Sequence, residues 1–157
     1  MEGENELKSG DVDAIEVLMA VLDSGSSAEL TASGYSMFPA LRPGDRVTVS
    51  PVKNGELPAP GAIVVYRDGE DLIMHRLRKI QTRGREQYFT TRGDSRDDDD
   101  EDHPLKDMIG VAVSYRRRGR EYRLRNFIVS RSHYKINRIL LLMHFRVKNI
   151  CRRLGGV

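Results

Sequence analysis

Two polar side chains stand out in this sequence, because a hydroxyl and an imidazole together can perform nucleophilic catalysis. Ser36 lies between Gly34 and Pro39, just after a predicted strand, where a tight and exposed turn is expected. Such a turn presents the hydroxyl outward, beside backbone N–H groups that could stabilise an oxyanion. His75 follows 39 residues later in an apolar strand pattern. Since a neutral imidazole can take a hydroxyl proton near pH 7, Ser36 and His75 are a candidate nucleophile and general base.

An acidic segment at residues 94–107 could complete such a site. Positions 97–102 are all Asp or Glu, and most of these side chains are expected in a solvated loop. One carboxylate, however, could orient the imidazole and stabilise its protonated form. The segment lacks the alternating ligands and central glycine of a calcium-binding loop. We therefore predict no metal and no other cofactor.

Five short motifs, taken in chain order, resemble the peptidase superfamily that includes signal peptidase I and the LexA-like proteins. They extend from about residue 31 to residue 113, a little over half of the chain. The motifs are Ser36-Met37-x-Pro39-x-Leu41-x-x-Gly44-Asp45-x-Val47, Gly61-Ala62-Ile63-Val64-Val65-Tyr66, Met74-His75-Arg76-Leu77, Thr91-Arg92-Gly93-Asp94 and Ile109-Gly110-Val111. The resemblance implies a mainly-β catalytic domain. It also implies a serine endopeptidase, with Ser36 as nucleophile, that cleaves leader or signal-type peptides from a peptide or protein precursor.

The superfamily divides on its general base, which is lysine in some members and histidine in others. His75 matches the histidine variant of the endoplasmic-reticulum and archaeal signal peptidases, so the resemblance implies a Ser-His-Asp arrangement. Asp102 precedes a His-Pro pair, where an acidic residue of the family often lies, and Asp94 in the Gly-Asp motif is the alternative. Lys79 lies four residues after His75, on the same face of a regular strand, and is a rival base.

The resemblance has two departures. Members with a hydroxyl residue two places before the nucleophile use it on the oxyanion, but this chain has Gly34 there. Backbone N–H groups, including that of Ser36, would then do this work, and losing one such donor costs roughly 3–4 kcal/mol, so a slow enzyme is expected. Housekeeping signal peptidases also carry a membrane anchor, whereas no run here approaches 20 apolar residues. A dedicated peptidase acting on a few partner precursors is the better expectation.

The elements that must position these residues are predicted to be short strands between two helices. Residues 11–24 show apolar side chains at helical spacing, and apolar residues recur at spacings of three and four after residue 126. Between them, six to eight strand patterns alternate with turns, which is typical of a mainly-β domain. The predicted divisions are a disordered acidic N-terminus at 1–10, a catalytic domain at 11–125 and a basic amphipathic helical tail at 126–157.

Charge is strongly segregated along the chain, although the net charge is only +3. Residues 1–30 carry −7, residues 31–115 carry −2 and residues 116–157 carry +12. A helix with an apolar face and a basic rim could lie in a bilayer interface, pack on its own domain, or dock on an acidic partner. Nucleic acid is disfavoured as a partner, because a phosphate-binding arm would not need so many leucines.

Two other functions remain open at this stage. A LexA-like autoproteolytic regulator needs a DNA-binding module, but only about 30 residues precede the β pattern and their negative charge repels DNA. A catalytically inactive peptide-binding module is the second alternative, since a fold can keep its groove and lose its chemistry. The sole cysteine, Cys151, excludes an intrachain disulfide and favours a reducing compartment. We expect a cytoplasmic protein, with peripheral contact at a membrane surface as a further expectation.

Overall fold

One antiparallel sheet organises the computed structural model, which describes residues 10–52 and 56–154. Its eight strands are β1 (Ala28–Thr31), β2 (Arg46–Pro51), β3 (Ile63–Asp68), β4 (Asp71–Arg83), β5 (Glu86–Arg92), β6 (His103–Pro104), β7 (Met108–Arg117) and β8 (Arg120–Arg123). The spatial order is β1-β2-β7-β3-β4-β5-β6, and β8 pairs with β7. The mainly-β prediction is confirmed. The signal-peptidase-like topology stays a prediction.

Two α-helices lie outside the sheet in the part of the chain that the structure describes, one before it and one after it in the sequence, and a short 3-10 helix (Leu105–Asp107) precedes β7. Helix α1 (Gly10–Asp23) coincides with the predicted 11–24 to within one residue, and α2 (Arg131–Leu154) lies inside the predicted tail. Residues 1–9 of the predicted acidic N-terminus lie outside the described residues. In the described ranges, neither helix combines the length and the apolar character needed to cross a bilayer.

The sheet buries apolar side chains on both of its faces around β3. This strand is a continuous apolar run, and Val64 and Val65, which point to opposite faces, are both fully buried. On one side α1 covers the sheet with Leu18 and Leu22. Each fully buried side chain of this size contributes about 1.5–3 kcal/mol relative to exposure. This packing fixes β3, and with it the neighbouring β4 that carries His75.

The segment between β8 and α2 is fastened to the domain at Gly61. The Phe127 N–H donates to the Gly61 carbonyl at 3.3 Å, and a Cβ at position 61 would lie 2.8 Å from the Phe127 backbone. Gly61 also has φ +93, which favours glycine. Val129 is buried, and its carbonyl accepts hydrogen bonds from Arg92 and Arg78. The chain therefore enters α2 from a fixed position.

Candidate active site

A cleft of about 550 Å³ lies between the turn that carries Ser36 and the first residues of β4. Ser36 and His75 both line this cleft, although 39 residues separate them in the chain. Its apolar lining includes Ile15, Leu18, Met37, Leu41 and Val65. The structure thus places the nucleophile and the base predicted from the sequence on the walls of one cavity, where no hydrogen bond joins the two side chains.

Two strand edges border the cleft without a strand partner among the described residues. Residues 71–75 of β4 pair with β3 on one side, but the pairing of β4 with β5 begins only at Arg76. Strand β1 pairs with β2 alone, and its continuation at residues 30–34 lines the opposite wall. Unpaired backbone N–H and C=O groups of this kind can bind an extended peptide by strand addition.

The turn that carries Ser36 is anchored by its apolar neighbours. The Phe38 N–H donates to the Tyr35 carbonyl at 3.0 Å, and Met37, Phe38 and Leu41 are buried. Ser36 itself is partly exposed, and none of the described residues accepts a hydrogen bond from its backbone N–H. The turn therefore holds the hydroxyl at the cleft with an N–H group still able to donate beside it.

A loop after β5 clamps this turn from the other side. A Cβ at Gly93 would lie 2.8 Å from the Ser36 carbonyl oxygen and 3.1 Å from the Ser36 Cβ, so only glycine allows this approach. The Ser95 N–H donates to the Ser36 carbonyl at 2.9 Å, and Ser95 Oγ lies 2.9 Å from the Tyr35 carbonyl oxygen. The Gly-Asp motif of the sequence thus supports the backbone at Ser36. Ser95 gave no signal of this role in the sequence.

Asp94 does not bond His75, as the alternative assignment from the sequence required. Its two carboxylate oxygens accept from Nε and Nη2 of Arg76, each at 2.7 Å, and both side chains are buried. Arg76 follows His75 in β4, so its side chain points to the opposite face of the strand. Arg76 also donates to the Gly61 carbonyl at 2.7 Å. Asp94 therefore ties the Gly93–Ser95 loop to the strand of the candidate base.

The carboxylate that bonds the imidazole is Asp100. Its Oδ2 lies 2.6 Å from Nδ1 of His75, and the two side chains are only 14% and 6% exposed. The backbone N–H of Asp100 donates to the Thr91 carbonyl at 2.8 Å, and the Thr91 hydroxyl donates to the same Oδ2 at 2.6 Å. These bonds hold one residue of the acidic run in a fixed position against His75.

Asp102, the first choice from the sequence, lies elsewhere. Its carboxylate accepts hydrogen bonds from Thr90 and Arg83, and from Gln81 Nε2 at 2.9 Å. Thr90 and Thr91 are successive residues of β5 and point to opposite faces, so they direct Asp102 and Asp100 to opposite sides of the sheet. The prediction that Asp102 or Asp94 bonds His75 is therefore wrong: an aspartate does bond the imidazole, but it is Asp100.

The ionisation of Asp100 fixes the tautomer of His75. Burial, the largest single influence, favours the neutral carboxyl, but the hydrogen bond and charge of His75, with Thr91 and Arg96, outweigh it and lower the pKa of Asp100 below its ordinary value. An ionised carboxylate only accepts hydrogen bonds, so Nδ1 must carry a proton. In the neutral imidazole Nε2 is then unprotonated and is the atom that can accept a proton from a hydroxyl.

A buried tyrosine, Tyr66, lies beside the His75–Asp100 pair. The Tyr66 hydroxyl lies 3.0 Å from Thr91 Oγ1 and 3.5 Å from Asp100 Oδ2. Burial, the main cause, raises the pKa of Tyr66 well above its ordinary value. The phenol is therefore neutral and provides a dipole, rather than a second negative charge, beside Asp100.

Lys79, the rival base, does not line the cleft. The register of β4 against β5 shifts between Leu77 and Lys79, which reverses the alternation on which the same-face argument depended. Lys79 is exposed, whereas His75 is buried. Its charge instead helps to lower the pKa of Asp102, after the larger contributions of the Thr90 and Arg83 hydrogen bonds.

Gly34 leaves open space above the candidate oxyanion site. A Cβ built there meets only the Ser36 N atom, at 4.0 Å, and the backbone angles at Gly34 are not of the kind reserved for glycine. A hydroxyl side chain at this position would therefore fit sterically beside the Ser36 N–H. The space at position 34 could hold a hydroxyl side chain near the oxyanion, but this chain has glycine there.

Comparison with known proteins adds no relative. A scan of protein-family models matches no family to this chain, and a search among curated proteins finds no similar sequence.

Proposed function

We propose that this protein is a serine endopeptidase, similar to signal peptidase, that removes leader-type segments from partner precursors. Ser36 is the nucleophile, His75 is the general base and Asp100 is the carboxylate that orients the base. The observation that carries the proposal is that His75, whose Nδ1 lies 2.6 Å from Asp100 Oδ2, lines the same cleft as Ser36.

The proposed reaction uses each group once in each half of the cycle. Ser36 Oγ attacks the scissile carbonyl carbon while its proton passes to Nε2 of His75, and Asp100 stabilises the resulting imidazolium. The Ser36 N–H donates to the developing oxyanion. When the C–N bond breaks, Nε2 returns the proton to the leaving amine. Water then attacks the acyl carbon while Nε2 takes its proton. The bond from the acyl carbon to Ser36 Oγ breaks, Nε2 returns the proton to Oγ, and the carboxylic acid product leaves.

The substrate side of the proposal is supported by the cleft's walls. An extended segment would add as a strand along residues 71–75, residues 30–34, or both, with its backbone groups paired. Alternate side chains would then point into the apolar lining. We infer that the substrate is an exposed, flexible part of a precursor with apolar side chains next to the scissile bond.

Cleavage of a peptide mixture tests this function directly. Wild-type protein is incubated with a proteome-derived peptide library, and new termini are identified by mass spectrometry. We expect cleavage by the wild type and by Ser33→Ala, a change to another serine that lines the same cleft, and none by Ser36→Ala. Removing such a nucleophile costs on the order of 10⁶ in rate. Equal cleavage by Ser36→Ala would refute the assignment.

A non-catalytic peptide-binding module is the second candidate, and Gly34 is the observation that favours it. Without a hydroxyl at that position the oxyanion has fewer donors, so the groove could bind peptides without cleaving them. This candidate predicts that the Ser36→Ala and wild-type proteins retain the same library peptides and that neither changes them.

A further inference from the structure

We propose that the outward face of α2 binds the surface of an anionic lipid bilayer. This inference concerns the side of α2 that does not contact the Ser36 turn, and it does not depend on the proposed peptidase activity.

The inner face of α2 is already occupied by the domain. Asn137 donates to the Asp94 carbonyl at 3.0 Å, and the rings of Phe145 and His144 lie 4.8 Å and 6.0 Å from the ring of Tyr35. Leu141 and His144 are partly buried along the same side. These contacts fix which side of the helix faces outward.

The outward side presents an apolar stripe to solvent. Spacings of four, three and four place its members on one helix face, and they are Ile136, Leu140, Met143 and Val147. Their exposed fractions range from 43% to 58%, and Ile139 beside them is 56% exposed. The stripe is not covered by any described residue of the domain. Contiguous exposed apolar side chains over about three helical turns indicate a binding surface.

The charges around this stripe indicate what covers it. Helix α2 contains seven Lys or Arg residues and no Asp or Glu. At 3.6 residues per turn, Lys135 and Arg146 lie along one flank of the stripe, and both are exposed. A helix with an apolar face and a basic flank has the chemistry of an interfacial helix, whose apolar face enters the acyl boundary while its bases meet anionic headgroups.

Alternative occupants fit these residues less well. A phosphate-binding helix would not need about three exposed apolar turns, and a stable apolar dimer interface would not carry seven bases without an acid to pair with them. A bilayer containing anionic lipid satisfies both features at once. Tyr35, next to Ser36, contacts the inner face of α2 and not the stripe, so docking through the stripe would leave these contacts in place.

Vesicle sedimentation of the full-length protein tests the inference. Vesicles of phosphatidylcholine alone are compared with vesicles that also contain phosphatidylglycerol, at physiological ionic strength. We expect the wild type to sediment with the anionic vesicles and to remain in solution with the neutral ones. The Leu140→Asp/Met143→Asp protein should lose this binding. The Lys135→Ala/Arg146→Ala protein should bind about 25-fold more weakly, since each base near an anionic surface contributes about fivefold.

The control is Val17→Asp, which places one carboxylate on an exposed apolar residue of α1 and should bind as the wild type does. All substituted side chains are exposed, and the melting temperature of each protein verifies that its fold is kept. Failure of the wild type to bind anionic vesicles would overturn the inference, as would wild-type binding by the Leu140→Asp/Met143→Asp protein. A wild-type dimer that these substitutions convert to a monomer would assign the stripe to a second copy instead.

Discussion

At the scale of single residues, the candidate site depends on which carboxylate meets the imidazole. The sequence predicted Asp102 or Asp94 in this role, whereas in the structure Asp100 bonds His75, Asp94 bonds Arg76 and Asp102 bonds Thr90. The sequence predicted a carboxylate partner for His75, but it could not identify which one. The six successive residues at 97–102 are all acidic, so their side chains look alike in the sequence. In the structure, the Thr91 hydroxyl bonds Asp100 and the Thr90 hydroxyl bonds Asp102, and these bonds set where each carboxylate lies.

Replacing the two rival carboxylates separately gives a sharp prediction. Asp100→Asn should lower kcat by about 10⁴, because an amide at this position favours the wrong imidazole tautomer. Asp102→Asn, which changes a carboxylate two positions away on the other side of the sheet, should leave kcat within a few-fold of wild type. Steady-state rates on one peptide from the library screen measure both effects. Equal losses in the two variants would contradict the role of Asp100.

Gly34 offers a gain of function with a matched control. Gly34→Ser should raise kcat at least about tenfold, because its hydroxyl can reach the oxyanion beside the Ser36 N–H and a well-placed donor contributes about 10²–10³. Gly34→Ala adds the same Cβ without a donor and should leave kcat near the wild-type value. The same rate measurement decides between them. If alanine accelerates the reaction as much as serine does, the effect is not due to a donor.

At the scale of secondary-structure elements, the strands follow from the sequence better than their irregularities do. Alternating or continuous apolar patterns, with turns at Gly44 and Gly69, were sufficient to predict most of the sheet. The register shift in β4 carries no such signal, because a bulge changes alternation without changing composition. It is this shift that removes Lys79 from the cleft. The support of Ser36 by Gly93–Ser95 was also invisible, because it joins residues almost 60 positions apart.

The loop after β5 supports the Ser36 turn, so we expect a substitution at Gly93 to lower kcat strongly while changing the free energy of unfolding little. Gly93→Ala places a Cβ against the Ser36 carbonyl and must shift the turn, and a displacement of about 1 Å can cost on the order of 10² in rate. Gly34→Ala, whose Cβ has open space, is the control. Rates and urea unfolding measured on both proteins test this. A Gly93→Ala enzyme with the wild-type kcat would show that the loop does not position Ser36.

At the scale of the whole molecule, the sequence predicted the architecture but not how its parts meet. A sheet between two helices follows from periodicity, and the +12 tail follows from counting charges. Whether the apolar positions of α2 face the domain or solvent cannot be read from their spacing, since both arrangements show the same period. The contacts of Asn137 and Phe145 with the domain decide it, and they leave Leu140 and Met143 exposed.

The most direct test of the central claim is covalent labelling of Ser36. A fluorophosphonate probe bonds an activated serine oxygen with loss of fluoride, and intact-mass and peptide-mapping measurements locate the adduct. We expect one adduct, on Ser36, that forms in wild-type protein and is abolished or strongly slowed in His75→Ala. An adduct that forms equally fast in His75→Ala, or no adduct on Ser36 at all, would contradict a hydroxyl activated by this imidazole.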